Sequence, residues 1–94
     1  MKVVYWKNGD YFYCINLNKV LAIDIGPGVG NEYMIAFKMA TGNYFYSLPK
    51  PLSSKQIKRL LALLQSSFIL DLDKVIKDLL KEGDESEQPS RDVD

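Results

Sequence analysis

The sequence predicts an α+β domain: an antiparallel β-meander of about four to five strands, then one long or two short amphipathic helices, then a disordered acidic tail. Three observations carry this. Every aromatic residue except Phe68 lies in residues 5–46, in short β-branched and aromatic runs divided by Gly, Asn and Pro. After Pro49 and Pro51 the apolar period lengthens from two to between three and four. Beyond Lys81 the chain holds six acids, Arg91 and a single large apolar residue, Val93. Such a segment buries too little surface to offset the entropy of ordering. The expected organisation is one domain over residues 1–81 and a tail over 82–94.

Taken in order, Val3–Lys7 suits a strand, and Asn8-Gly9 is a hairpin signal because a type I′ turn needs positive φ at both central positions. Tyr11–Leu17 is the second strand, with Cys14 expected to be a buried, inert thiol. In Val20–Ile25, strict alternation puts Leu21, Ile23 and Ile25 on one face and Ala22 and Asp24 on the other. Gly26–Glu32 is a loop. Tyr33–Ala40 alternates again, with Ile35, Phe37 and Met39 opposite Met34, Ala36 and Lys38. Thr41-Gly42-Asn43 turns the chain into Tyr44–Leu48. The short connections predict sequential antiparallel pairing.

Ser53 and Gln56 have the spacing of a capping box, which opens a helix by satisfying two exposed backbone donors reciprocally. The series Ile57, Leu61, Leu64, Phe68, Leu72, Val75, Leu79 then keeps helical phase through Ser66-Ser67. One continuous helix over 54–82 would be roughly 43 Å long, more than so small a domain can cover. A break at the serine pair, with Asp71 or Asp73 as a cap, lets the second helix fold back.

The formal net charge of zero hides an asymmetry. Residues 1–81 carry eleven Lys and Arg against six acids, about +5, and residues 82–94 carry one Arg against six acids, about −5. The lone Cys14 forms no internal disulfide, and no run approaches the roughly 18 apolar residues of a membrane span, so a cytoplasmic location is expected.

The chain has no histidine, which removes the usual neutral-pH base and the commonest metal ligand. With one cysteine, a Cys–His pair and a structural zinc site are both excluded. Asp24 and Glu32 flank the glycine loop, but turn chemistry accounts for both. Gly26-Pro27-Gly28-Val29-Gly30 lacks the Gly-Lys-Ser/Thr of a phosphate loop and leads into a strand. No catalytic, cofactor or metal residue is therefore expected, and the protein is read as a non-enzyme.

Two surfaces are candidates for binding. Leu63, Phe68, Ile69, Leu72, Val75, Ile76, Leu79 and Leu80 exceed what one sheet face covers, which points to a protein partner or a homodimer met by the helical residues Phe68, Leu72, Val75, Ile76, Leu79 and Leu80. The alternative is a single-stranded nucleic-acid platform. Tyr5, Trp6, Tyr11, Tyr13, Tyr44 and Tyr46 would stack bases, while Lys50, Lys55, Lys58 and Arg59 would meet phosphate or another anion. The acidic tail would then compete as a phosphate mimic.

The succession of Ile15–Ile25, Met34–Asn43 and Ser53–Leu64 resembles half of a pleckstrin-homology-like or SH3-like barrel over about residues 11–65. The resemblance lies in strand order and turn placement, so it carries over no functional residues. It implies a small accessory protein of the kind phages and mobile elements encode. The expectation from all these features is a protein-interaction module, an adaptor or inhibitor, dimerising or docking through its C-terminal helices.

Overall fold

Residues 3–16 form a hairpin in the computed structural model, which describes residues 2–81. Strands β1 (Val3–Asn8) and β2 (Tyr11–Asn16) pair antiparallel from Val3↔Asn16 to Asn8↔Tyr11. The register makes Gly9 and Asp10, not Asn8 and Gly9, the central turn residues. Only Gly9 of the two has positive φ, 63°. That is the requirement of a type II′ turn, with glycine first, in place of the expected type I′.

A short 3₁₀ turn, Leu17–Lys19, follows, with the Asn18 N–H donating to the Asn16 side chain over 3.0 Å. This turn separates two sheets. Strands β3 (Val20–Pro27), β4 (Tyr33–Met39) and β5 (Gly42–Ser47) form their own antiparallel sheet in that order. Consecutive pairing therefore holds within each sheet, and the meander divides between β2 and β3.

Two phase expectations change. The β3/β4 register shifts between Val20 and Ala22, so a bulge turns Leu21 outward, where it is 74% exposed, and Val20 takes the inward place. Cys14 is exposed, not buried. Opposite Tyr5 in the ladder, it shares the phase of Phe12, whereas Tyr13 and Ile15 face inward with Trp6 and Val4.

Helix α1 (Ser54–Ser66) opens with the expected box: the Gln56 N–H donates to Ser53 Oγ over 3.1 Å, and the Ser53 N–H donates to Gln56 Oε1 over 2.7 Å. It ends at Ser66, with Lys2 Nζ donating to the Gln65 carbonyl. The chain then extends through β6 (Ile69–Asp71), a strand too short for any period to show in the sequence. It lies parallel to β1, Val3↔Ile69 to Tyr5↔Asp71, and completes the sheet order β2-β1-β6. A second helix, α2, runs over 72–81. Asp71 caps it by accepting from the Lys74 N–H at 3.3 Å. The two short helices are thus the form the sequence allowed. The acidic tail expected over 82–94 lies outside the described residues.

One core joins all these elements. Val4, Trp6 and Ile15 come from the first sheet, Ile35 and Phe37 from the second, and Leu60, Leu64, Leu72, Ile76 and Leu79 from the helices. Trp6 sits at the junction. Its ring stacks on Tyr13 at 5.4 Å and on Phe37 at 5.5 Å, and meets Tyr46 edge-on at 5.7 Å.

Candidate interaction surface

The register fixes which side chains leave the core on the first sheet. Phe12 opposes Lys7, Cys14 opposes Tyr5, and Val3 and Tyr5 oppose Ile69 and Asp71. The outer face therefore carries Phe12, Cys14, Tyr5, Val3 and Ile69 together. Phe12 is 68% and Ile69 69% exposed, and Phe68, which leads into β6, is 75% exposed. Tyr5 and Phe12 are in ring contact at 5.9 Å. The polar members of this face are Lys7 on the central strand, Asp71 on the edge strand beside Tyr5, and Asn16 opposite Val3. The core covers the other side of the sheet only, so the large apolar side chains here are left to solvent.

The expected helical docking surface does not survive as a surface. Leu72, Ile76 and Leu79 are buried, and Val75 and Leu80 are half-buried against the same cluster. The break after Ser66 lets α2 fold back onto the sheets, so the apolar stripe is used within the chain. Of the six helical residues proposed to meet a partner, Phe68 alone stays exposed, in the segment that leads into β6.

The aromatic candidates divide. Trp6 is in the core. Tyr11, Tyr13 and Tyr44 form a chain of ring contacts at 6.5 and 6.2 Å that climbs from Trp6 to the surface. Tyr5 is on the other side of the sheet. Lys50 lies in the Pro49–Pro51 connection, while Lys55, Lys58 and Arg59 are exposed on α1, so the cations and the rings occupy different elements.

Tyr46 has a structural task. Its hydroxyl donates to Asp73 Oδ1 at 3.2 Å, and Asp73 Oδ2 accepts from the Lys7 N–H at 3.0 Å. One carboxylate thereby joins β1, β5 and the start of α2. Burial, the Asp73 charge and this hydrogen bond hold the Tyr46 hydroxyl well above the ordinary tyrosine range, so it remains a donor. The sequence offered Asp73 only as a helix cap, and no spacing signal connects it to residues 7 and 46. Ile69 counts in the sequence as surplus apolar surface of the helical half, and its place beside Val3 becomes readable only once β6 is set beside β1. Phe12 is absent from the candidate site residues, and its exposure follows from its register opposite Lys7.

The second sheet ends differently. Its outer face carries Ala22, Asp24, Met34, Ala36, Lys38 and Phe45, with Lys38 Nζ paired to Asp24 at 2.9 Å. A groove of about 400 Å³ lies where β3 meets α1, lined by Leu17, Leu21, Ile23, Leu61 and Leu64, with Lys2 and Gln65 at its polar end. Among the described residues no group of three or more His, Cys, Asp or Glu side chains is arranged to hold a metal, and no helix is long and apolar enough to cross a membrane. Compared with protein-family models, with characterised proteins and with solved structures, the chain has no match.

Proposed function

We propose that this protein is a non-enzymatic interaction module that works as a homodimer, joined through the outer face of its first sheet. The observation that carries the reading is the apolar row Phe12, Tyr5, Cys14, Val3 and Ile69 on a face that no element of the described chain covers. A second copy is the occupant favoured here because the face is self-complementary in character. Two such faces pack sheet on sheet at about 10 Å, and a two-fold axis brings each ring row against its equivalent. The face carries one charge of each sign, Lys7 on β1 and Asp71 on β6, so a two-fold arrangement sets each against the opposite charge of the second copy. Single-stranded nucleic acid is the less favoured occupant of the rings, since Trp6 lies in the core and the cations lie on another element.

Sedimentation of the full chain over a dilution series tests this. The expected result is a monomer–dimer equilibrium, abolished by Phe12→Lys with Tyr5→Lys, while the unfolding midpoint of the dilute protein changes little. Cys14 gives a second readout: its reaction with a thiol reagent should slow as protein concentration rises. A wild-type chain that sediments as a monomer throughout, with Cys14 reacting at one rate, would rule the dimer out.

A further inference from the structure

The charge of the described chain is unevenly used. Helix α1 carries Lys55, Lys58 and Arg59 and contains no acid anywhere in Ser54–Ser66. Lys74, Lys77 and Lys81 are exposed on α2. The nearby carboxylates are engaged elsewhere: Asp71 caps α2, Asp73 is held by the Lys7 N–H and Tyr46, and Asp24 pairs with Lys38. Asp78 is the remaining acid of α2. Among the described residues neither Lys55 nor Lys58 has a carboxylate partner. The capping box already satisfies the start of α1, so what this face presents is ammonium charge, not open backbone donors.

The point where the described chain ends is also fixed. Gln56 Nε2 donates to the Leu79 carbonyl at 3.0 Å, in a buried contact. The first turn of α1 therefore rests against the last described turn of α2. The described chain ends at Lys81, two residues after Leu79, and the acids Glu82, Asp84, Glu85 and Glu87 follow it directly in the sequence. Thirteen residues can reach about 43 Å when extended, so length does not limit access to the α1 face. A tether this short keeps the acids at an effective concentration on the order of millimolar.

We propose that residues 82–94 dock on the basic face made by the first turns of α1 and the end of α2, so that this anion-docking surface is occupied by the chain's own acidic segment. Length, point of departure and opposite charge all favour that occupant. An acidic partner reaches the surface only by displacing the segment. The contact is ionic and exposed, so it weakens as the screening length falls below about 8 Å. This inference does not depend on the dimer proposed through the first sheet, which lies on other elements.

A nitroxide placed at Val93→Cys in a Cys14→Ser background, with the rest of the full chain intact, tests it through the ¹⁵N amide signals. At low salt the amides of residues 54–59 should lose at least half their intensity relative to the reduced label. High salt should restore them, as should Lys55→Glu with Lys58→Glu in the same chain. The salt comparison needs no charge substitution, so it decides the matter even if the double variant folds poorly. Equal intensity at residues 54–59 with the label oxidised or reduced would overturn the proposal. Broadening that appears only when unlabelled ¹⁵N chains are mixed with labelled ¹⁴N chains would also overturn it, because the segment would then be docking on a second copy.

Discussion

The two three-stranded sheets share one core but differ on the side facing away from it. On the second sheet, Asp24, Ala36 and Phe45 lie in one row and Ala22, Lys38 and Asn43 in the next, with an ion pair between Asp24 and Lys38. On the first sheet the equivalent rows are Phe12 with Lys7, then Cys14, Tyr5 and Asp71, then Asn16, Val3 and Ile69. Both sheets supply rings and β-branched residues to the interior. Each outer face carries a lysine on its central strand and an aspartate on an edge strand; the difference is that Lys38 and Asp24 pair with each other, whereas Asp71 caps α2 and the positions around Lys7 hold Phe12, Tyr5, Cys14, Val3 and Ile69. Apolar content alone therefore does not separate the two outer faces. What separates them is the large apolar side chains left over after the register has assigned the inward positions.

The largest expected effect separates the two sides of the first sheet. Trp6 is buried between the sheets, and Trp6→Ala should cost about 3–5 kcal/mol through lost burial and a residual cavity. Phe12→Ala, on the outer face, should change the stability of the dilute monomer by no more than about 0.5 kcal/mol. Urea unfolding of both variants measures the contrast. Comparable losses would mean that Phe12 packs against the chain itself, and the comparison between the faces would collapse.

Next in size is the carboxylate that links the first sheet to the second. Asp73→Ala removes the acceptor of both the Lys7 N–H and the Tyr46 hydroxyl, and because both bonds are open to solvent the cost is about 0.5–1.5 kcal/mol. The pH dependence has a definite sign. The folded state holds the Tyr46 proton more tightly than the unfolded state does, because of burial first and the Asp73 carboxylate second. The stability this contributes is fully present below about pH 10, the ordinary tyrosine value, and is lost as pH rises above it. The stability gap between wild type and Tyr46→Phe should accordingly narrow from about pH 10 upward. A gap that stays constant through that range would mean the hydroxyl is not held as described.

The legibility of these features followed the range of the interaction behind them. The capping box at Ser53 and Gln56, the alternation of Ile35 and Phe37, and the two-part helical stripe are local, and each is present in the structure. Leu21 was misplaced because a bulge shifts phase by one residue, and alternation before and after it looks unbroken. Cys14 was misplaced because Tyr11-Phe12-Tyr13-Cys14-Ile15 is apolar on both faces, so period two has no polar residue to orient it. Strand β6 and the reach of Asp73 depend on contacts across more than sixty residues, as in Val3↔Ile69 and Lys7 with Asp73, which no local pattern encodes. The helical residues Leu72, Ile76 and Leu79 were recognised as apolar, but whether they met a partner or the chain's own core turned on the fold-back after Ser66.

The smallest expected effect on stability sharpens the contrast most. The Lys38–Asp24 pair is exposed, with side chains 48% and 61% accessible, so solvent screening leaves it worth about 0–1 kcal/mol. Replacing both by alanine should therefore scarcely move the unfolding midpoint. It would, however, leave the second sheet's outer face with Met34, Ala36 and Phe45 and no charge, whereas the first sheet keeps Lys7 and Asp71 on its outer face. If charges at such positions serve mainly to keep a sheet face from being covered, the double variant should self-associate more strongly than wild type in sedimentation. The added association should persist when Phe12→Lys and Tyr5→Lys have disabled the first sheet. No gain in association would mean that removing charge is insufficient, and that the ring contact of Tyr5 with Phe12 is what the first sheet contributes.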